Sequence, residues 1–395
     1  MTPSDFSAQA QALRQELIER RRDLHRHPEL AFEEVRTAGI VARELSNLGM
    51  EVRAGVGKTG VVAMLEGAHD GPTVLLRADM DALPIHEENE VDYASSVPGR
   101  MHACGHDGHT AIMLGVAKLL SPLRDQMAGR IKFVFQPAEE VALGAKAMCE
   151  DGVLTDPRPD VSLGLHLWTS LPSGTLGIGD GPVMAGASNF SVRITGKGAH
   201  GASPHEGVDP IVCAAALIGE FQSIISRSID PLDTAVISVT YVRSGEAYNV
   251  IPQDAELRGT IRAFKTEVRD FVVERMSELT EHLCRAMRCS GVLNVTHLTS
   301  PVLNDYEVTE RARQRFAAVP GVTRLDTTER TMGAEDVGFF MSDIPGLYFV
   351  LGARDETADA YYGHHHPRFT FDEDMLPLGA ALLASAAASY VLPEG

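Results

Sequence analysis

Residues 101–120 have the sequence MHACGHDGHTAIMLGVAKLL, in which a cluster of histidine, cysteine and glycine precedes a run of mostly apolar residues. The apolar part, residues 110–120, predicts a helix. Four short apolar runs in the same half of the chain predict buried strands, at residues 60–65, 73–77, 131–135 and 161–167. Strands and helices that alternate in this way predict an α/β domain with a mostly parallel sheet.

The pattern changes near Pro182. Residues 255–264 alternate strictly, with Leu257 and Ile261 on one face and Arg258 and Arg262 on the other, which predicts a half-buried strand. Further strands and helices in this segment complete the order strand, helix, strand, strand, helix, strand, which predicts a small α+β sandwich of ferredoxin-like type. The further strands are predicted at 188–195 and 234–242, and the helices at 209–226 and 268–287.

The chain therefore divides into two predicted domains. The α/β domain occupies residues 1–184 and resumes at 301–395, where a helix, a strand and a final helix are predicted. The smaller α+β domain is inserted between them, at residues 185–300. A chain of 395 residues agrees with two domains, because single hydrophobic cores stop growing beyond about 250–300 residues.

The composition narrows the class of protein. A formal net charge of −19 disfavours nucleic acid and anionic lipid as partners. The N-terminus lacks the basic start and apolar stretch of a signal peptide, and the apolar run at residues 380–392 is too short to span a membrane. We therefore expect a cytoplasmic protein with no membrane partner, whose five cysteines stay reduced.

The densest group of chemically useful side chains is His102, Cys104, His106 and His109, just before the helix predicted at residues 110–120. Glycines between them let the backbone turn tightly, and all four side chains can bind a metal ion. A catalytic metal site is the favoured interpretation. A structural zinc knuckle and a helix N-terminus without metal remain alternatives, although the knuckle would need a second Cys/His pair at short spacing.

Three further groups follow predicted strands. Asp79 and Asp81 follow the strand at 73–77, Glu139 and Glu140 follow the strand at 131–135, and His166 lies at the end of the strand at 161–167. A parallel sheet brings the carboxyl ends of its strands to one edge, where α/β enzymes place their chemistry. Taken singly, each group has an ordinary explanation as a turn, a solvated loop or a core histidine.

A fifth group, the histidines at positions 364–366, lies near the C-terminus and could by itself be a surface feature. Cysteine, histidine and glutamate together suit zinc, manganese, cobalt or nickel, and do not suit magnesium or calcium.

These motifs resemble those of the M20 metallopeptidase family, and specifically its amidohydrolase branch. The resemblance covers almost the whole chain and implies a zinc-exopeptidase-like catalytic domain with an inserted lid domain that dimerises. The matching segments are LHRHPELAFEE (24–34), RADMDALP (77–84), MHACGHDGHT (101–110), FQPAEE (135–140), GLHLW (164–168), GKGAHGASPHEGVDP (196–210), YNVIP (248–252), MGAEDVGFF (332–340) and HHPRFTFDE (365–373).

The resemblance also implies a role for each matching residue. Glu139 is implied as the general base, and His200 as a lid histidine that reaches into the active site of the partner subunit. Asn249 and Arg262 are implied as lid residues that contact the substrate. The implied metal ligands are Cys104, which bridges two ions, and His106, Glu140, His166 and His365.

One segment departs from the family pattern. Other branches of the family have His-any-Asp where this chain has Asp79-Met-Asp81, so the first ligand is missing there. We expect His106 to replace it, and Asp81 to orient a ligand histidine without binding metal.

The resemblance implies a metal-dependent hydrolase that cleaves the amide bond of N-acyl amino acids, such as hippurate-like substrates. The implied cofactors are two divalent transition-metal ions per subunit, zinc or manganese first and cobalt or nickel next, and the implied assembly is a homodimer or higher homo-oligomer. A carboxypeptidase or dipeptidase with the same site is the alternative activity. A metal-binding protein without catalysis is a further alternative, which the presence of Glu139 and His200 disfavours.

Overall fold

A computed structural model of the chain describes residues 1–356 and 361–393. The strands, in chain order, are β1 (Glu51–Val56), β2 (Gly60–Glu66), β3 (His69–Asp79), β4 (Ala128–Gln136), β5 (Val161–Pro172), β6 (Thr175–Gly177), β7 (Gly181–Met184), β8 (Gly186–Thr195), β9 (Ala199–His200), β10 (Ala235–Ser244), β11 (Val250–Ile251), β12 (Asp254–Ala263), β13 (Ser290–Thr299), β14 (Val302–Asn304), β15 (Arg324–Asp326) and β16 (Gly346–Arg354). The helices are α1 (Pro3–Ala12), α2 (Arg14–Arg26), α3 (Val35–Asn47), α4 (His106–Leu120), α5 (Gly144–Glu150), α6 (Pro210–Ser223), α7 (Thr266–Ala286), α8 (Tyr306–Phe316) and α9 (Met375–Val391).

The chain folds as two compact units. The larger unit contains residues 1–183, residues 303–330 and the described residues from 336 onward, and the smaller unit contains residues 184–302 and 331–335. The predicted fold class is confirmed, because a mixed, mostly parallel sheet and a separate antiparallel sheet are both present. The role of the smaller unit in dimerisation and closure stays a prediction.

The sheet of the larger unit has the strand order β1-β2-β4-β3-β5-β16-β6-β15. Its central strands β4, β3, β5 and β16 are parallel, whereas β1, β2 and β6 add antiparallel pairs on the two sides. The central strands are apolar along most of their length, as expected for parallel strands that are covered on both faces.

The register of the central strands brings the predicted polar groups to one edge. Asp79 at the end of β3 is paired with Gln136 at the end of β4, and Arg77 is paired with Gly164 on β5. The turn after β3, the two glutamates after β4 and His166 on β5 therefore lie at neighbouring strand ends. This is the arrangement that the sequence predicted for a parallel sheet.

Helix α4 begins at His106, four residues before its predicted start at position 110. Gly105 precedes the helix with a φ of 91°, a conformation that costs glycine little. The first turn of α4 is as buried as the centre of the helix. The prediction was wrong at this boundary because the polar residues 106–109 have the composition of a loop. Their burial against the rest of the unit makes them part of the helix.

The smaller unit contains an antiparallel sheet with the order β10-β12-β8-β13, covered by α6 and α7. This order and the sequence of elements agree with the predicted ferredoxin-like sandwich. The predicted alternation on β12 is also present, because Leu257 and Ile261 are buried in the core while Arg258 is exposed and Arg262 is half-buried.

One helical stretch, residues 210–228, is long and apolar enough to cross a membrane by length and composition alone, with a mean hydropathy of 1.2. It comprises α6 and the π-helical turn that follows it, and it corresponds to the helix predicted at residues 209–226, which was not predicted to span a membrane. Its inner side packs on the sheet through Cys213, Leu217 and Phe221. Core helices of soluble proteins pass the same test, so a single helix of this kind is weak evidence for a membrane span.

Gly144, the first residue of α5, packs directly against the segment that follows β4. A Cβ atom built on it would lie 1.5 Å from the carbonyl oxygen of Pro137. We expect Gly144→Ala to lower the melting temperature and to displace the turn that contains Glu139 and Glu140, because a clash with backbone cannot be relieved by a side-chain rotation.

Gly39→Ala in α3 of the same unit is the matched control for this substitution. A Cβ atom there meets nothing within 4 Å, and alanine is favoured over glycine in a helix interior by about 1 kcal/mol. Thermal unfolding followed by circular dichroism compares the two variants. A Gly144→Ala protein that melts at the wild-type temperature would show that this contact does not constrain the turn.

Candidate metal centre

Five side chains of the larger unit bring metal-binding atoms together, and we call them the donor cluster. The donor atoms of Cys104, His106 and His166 lie within 4.8 Å of one another, and the same holds for those of Cys104, Glu140 and His365. Cys104 belongs to both groups, which is the position required of a ligand shared by two ions. These five residues are the ligands that the family resemblance implied.

The two buried histidines of the donor cluster are oriented by backbone carbonyl groups. His106 Nδ1 donates to the carbonyl oxygen of Asp81 at 2.9 Å, and His166 Nδ1 donates to that of Leu167 at 2.7 Å. A carbonyl oxygen can only accept, so each Nδ1 holds a proton, and in the neutral ring that binds metal each Nε2 presents a lone pair. His166 Nε2 lies 3.5 Å from the Cys104 sulfur atom.

Glu140 and His365 form the other side of the donor cluster. Glu140 Oε2 lies 3.4 Å from His365 Nε2, and burial raises the pKa of Glu140 to about 7. The backbone N–H of His365 donates to the carbonyl oxygen of Ala103 at 2.8 Å, which holds this histidine beside the segment containing Cys104. His365 adopts a φ of 65°, a left-handed conformation that is uncommon for a residue other than glycine.

The donor cluster fits a divalent transition-metal ion. His106 Nε2 and Glu140 Oε1 are buried and have no hydrogen-bond partner among the described residues, and a bound cation would satisfy both. Burial raises the pKa of the Cys104 thiol well above its ordinary value, so a bound cation would be needed to hold it as a thiolate. Sulfur, nitrogen and carboxylate ligands together favour zinc and its transition-metal neighbours.

Asp81 holds the turn that contains the paired glutamates. Its carboxylate oxygens accept the backbone N–H groups of Glu139 and Glu140, each at 3.0 Å. Glu139 Oε2 lies 3.8 Å from His106 Nε2, beside the donor cluster. The expectation was that Asp81 orients a ligand histidine. In the structure both the carbonyl oxygen and the carboxylate of Asp81 lie near His106 Nδ1, at 2.9 and 3.4 Å, and the carboxylate also orients the two glutamates.

Asp79 occupies the position where other branches of the M20 family, which this chain resembles, have a ligand histidine. Both of its carboxylate oxygens already have partners. Its Oδ1 atom lies 2.6 Å from His109 Nδ1, and its Oδ2 atom accepts from Arg77 at 2.7 Å. Burial alone would raise the pKa of Asp79, but its contacts with His106, His109 and Arg77 outweigh burial and hold it well below its ordinary value.

The four members of the 102–109 cluster thus have different surroundings. Cys104 and His106 belong to the donor cluster. The donor atoms of Asp79, His106 and His109 also lie within 4.8 Å of one another, but His109 Nε2 accepts the backbone N–H of Leu167 at 2.9 Å, so both of its nitrogens are occupied. His102 is buried, and burial lowers its pKa to about 4, which keeps it neutral.

Arg77 is a buried cation beneath the site that the sequence analysis missed. Its Nε donates to Gln136 Oε1 at 2.7 Å, and Gln136 Nε2 donates to Asp336 Oδ1 at 2.6 Å. Asp336 also accepts the backbone N–H of Ala145 at 3.0 Å. The only signal in the sequence is an arginine inside an otherwise apolar strand. Burial of such a residue requires a paired anion, which here is Asp79.

Helix α2 also contributes two side chains beneath the site, Arg21 and His25, of which His25 belongs to the segment LHRHPELAFEE. Asp107, next to His106, lies 2.9 Å from Arg21 Nε and 2.7 Å from His25 Nδ1. His25 Nε2 in turn lies 3.1 Å from Glu87 Oε1. Burial by itself would raise the pKa of Asp107, but the combined effect of Arg21 and His25 is larger and lowers this pKa below its ordinary value. The carboxylate therefore stays charged and anchors the first turn of α4.

The remaining predicted residues, His200, Asn249 and Arg262, belong to the smaller unit. His200 on β9 is exposed and pairs with Val250 on β11, and the N–H of Gly201 donates to the carbonyl oxygen of Asn249 at 2.7 Å. The fold therefore brings His200 and Asn249 side by side. Arg262 lies on β12 and is half-buried, and burial lowers its pKa.

Comparison with known proteins identifies the family. The family model described as peptidase family M20/M25/M40 matches residues 75–389. The chain belongs to this family. It is 41% identical over 375 residues to thermostable carboxypeptidase 2 of Saccharolobus solfataricus, covering 93% of this chain and 94% of that protein. It is 39% identical over 372 residues to an N-acetylcysteine deacetylase of Bacillus subtilis, covering 94% and 96%.

A solved M20 structure has the same fold over nearly its full length. The YXEP protein of Bacillus subtilis, described as a dinuclear metal-binding peptidase of the M20 family, superposes with a TM-score of 0.84 at 36% identity. The alignment covers 96% of this chain and 98% of that one. The recognised relatives also show that this chain is a hydrolase of the M20 amidohydrolase type.

Replacement of Cys104 tests the donor cluster directly. Loss of a residue that only hydrogen-bonds to a metal ligand typically lowers metal affinity by roughly 10–100-fold. We expect Cys104→Ser to lower the affinity by more than this, because a hydroxyl does not replace a shared thiolate. Cys149→Ser is the matched control, since Cys149 lies on α5 outside the donor cluster. Metal content after dialysis is the measurement. Equal metal content in the two variants would show that Cys104 is not a ligand.

Proposed function

We propose that this protein hydrolyses the amide bond of N-acyl amino acids, with two divalent transition-metal ions held by the donor cluster. The observation that carries the proposal is the position of Glu139 beside the donor cluster. Its carboxylate lies 3.8 Å from His106 Nε2 and within 4.8 Å of donor atoms of His106 and Glu140, outside the two groups that share Cys104. Bound ions in such a site supply Lewis acidity toward an amide carbonyl and make water easier to deprotonate.

Glu139 is proposed as the general base and then the general acid. It takes a proton from the attacking water while the water oxygen bonds to the carbonyl carbon, and it returns the proton to the nitrogen as the C–N bond breaks. The backbone hydrogen bonds from Glu139 and Glu140 to the two carboxylate oxygens of Asp81 fix the turn that contains both side chains, and Glu140 is proposed as a ligand. The products are a carboxylic acid and a free amino acid.

His200 is proposed to stabilise the negative charge that develops on the carbonyl oxygen. Its Nδ1 atom accepts the backbone N–H of Ala202 at 3.0 Å, so a neutral His200 holds its proton on Nε2 and can donate from there. A donor of this kind is typically worth about 10²–10³ in rate. Arg262 is proposed to pair with the carboxylate of the amino-acid half, and Asn249 to add a hydrogen bond.

A homodimer is part of the proposal, because His200 would serve the partner subunit. Two features of the smaller unit support it. Strand β10 stands at one end of the four-strand order and exposes Val236 and Val242, and α6 exposes Ile211 and Val212. Exposed apolar side chains of this kind favour an association between subunits.

A carboxypeptidase or dipeptidase activity is the second candidate. It is favoured by the 41% identity to a protein named as a carboxypeptidase, and Glu139 and the ions would act in the same way. Substrate length separates the two candidates. Initial rates with zinc, manganese, cobalt and nickel should be compared between N-acetyl or N-benzoyl amino acids and the matching dipeptides. A clear preference for dipeptides would favour the second candidate.

Paired variants test the roles of the two glutamates. We expect Glu139→Gln to lower kcat by about 10²–10⁴-fold while metal content stays near the wild-type value, because only the base is removed. Glu140→Gln should lose bound metal, because a ligand is removed. Metal content and kcat measured on the same preparations make the comparison. Loss of metal in the first variant and not in the second would reverse the two assignments.

Mixed dimers test the proposed action of His200 across subunits. His200→Ala and Glu139→Gln homodimers should both be nearly inactive, whereas a mixed dimer contains one site with an intact Glu139 and an intact His200 from different chains. Co-expression should therefore recover activity, and each mixed dimer should contain at most one competent site. His205→Ala, an exposed histidine nearby, is the control and should stay active. Verified mixed dimers without activity would contradict action in trans.

A further inference from the structure

Trp168, the only tryptophan of the chain, lies beside the donor cluster and has no part in the proposed mechanism. It follows His166 by two residues on β5, so both side chains point to the same face of the sheet. The two rings meet edge to face, with centroids 5.3 Å apart and an interplanar angle of 87°. Because Trp168 is partly exposed, part of the indole is available to a bound molecule.

Neighbouring side chains hold the indole ring in place. The Trp168 and His364 rings are 4.8 Å apart at an interplanar angle of 34°, and His364 Nε2 lies 2.9 Å from the carbonyl oxygen of Leu167. The His364 ring also lies 5.0 Å from that of Phe369. A side-chain hydrogen bond with Trp168 lowers the pKa of Glu329, although burial has the larger effect and raises it. The indole is therefore a preorganised flat surface.

The position of this surface matches one half of the proposed substrate. The acyl group is bonded directly to the carbonyl carbon that the water attacks, whereas the carboxylate is separated from that carbon by the amide nitrogen and the α-carbon. The proposed function assigns the carboxylate to Arg262 and leaves the acyl group without a contact. The indole lies 5.3 Å from the ring of the proposed ligand His166, and aromatic rings interact with centroids about 4.5–7 Å apart, so a ring attached at the carbonyl carbon is the part of the substrate best placed to contact it.

We propose that Trp168 is a specificity-determining residue that contacts the acyl group and favours a planar aromatic acyl group, such as benzoyl, over a small aliphatic one. This inference rests on the proposed function. An indole ring held in place by neighbouring side chains binds a flat aromatic ring at little cost in conformational entropy. A methyl group has a smaller contact area and gains less binding energy from the same surface.

The kinetic test compares N-benzoylglycine with N-acetylglycine in the metal-loaded wild type and in two variants. Trp168→Leu should lower the ratio of kcat/KM for the benzoyl over the acetyl substrate by about 3- to 10-fold, mainly through KM, because binding to a remote ring is lost uniformly. Trp168→Phe keeps an aromatic face and should retain most of the ratio. General damage to the site would instead lower kcat/KM equally for both substrates. An unchanged ratio in Trp168→Leu would overturn the proposal.

A binding test keeps this inference distinct from the proposed function. The single tryptophan makes the intrinsic fluorescence a probe of this one position. In metal-loaded Glu139→Gln protein, N-benzoylglycine at saturation should change the tryptophan emission more than N-acetylglycine does. Equal changes would overturn the role of Trp168 even if both amides are hydrolysed. If the wild type hydrolyses neither amide, the proposed function fails, and the emission change still decides whether Trp168 contacts an aromatic acyl group.

Discussion

The site depends on the way in which Asp81 ends the turn after β3. Its carboxylate accepts the backbone N–H groups of Glu139 and Glu140, and its carbonyl oxygen accepts the Nδ1 proton of His106. A buried carboxylate is stable only when donors surround it, so these contacts are a condition of burying Asp81 as well as a device for orientation. This one residue thereby fixes three others that come from two separate segments of the chain.

Buried charge beneath the donor cluster is compensated in the same way. The Arg77 guanidinium lies between Asp79 and Asp336, and Asp79 also contacts His109. Removal of one partner would leave an unpaired buried ion, which is costly, whereas in the intact set each carboxylate faces Arg77 and further hydrogen-bond donors. This network explains how an aspartate is accommodated where other branches of the family have a histidine: it orients neighbouring groups through His109 and Arg77.

In the proposed reaction the two units would have different roles. The larger unit contributes rigid, buried groups at the ends of parallel strands, where small displacements would cost both metal affinity and rate. The smaller unit contributes exposed polar groups on β9 and the segment before β11, namely His200 and Asn249. Such groups are suited to a contact that forms only when substrate or a second subunit is present.

Sequence alone determined much of the fold and the identity of the donor cluster. Apolar runs predicted the central strands, alternation predicted β12, and the family motifs implied Cys104 and Glu140, because these signals are local in the chain. Only the tertiary structure decided the start of α4 at His106, the pairing of Asp79 with His109, the buried position of Arg77, and the engagement of Asp107 by Arg21 and His25. In each case a polar residue is buried beside a partner that comes from another segment or lies inside an apolar strand. No local pattern in the sequence specifies that partner.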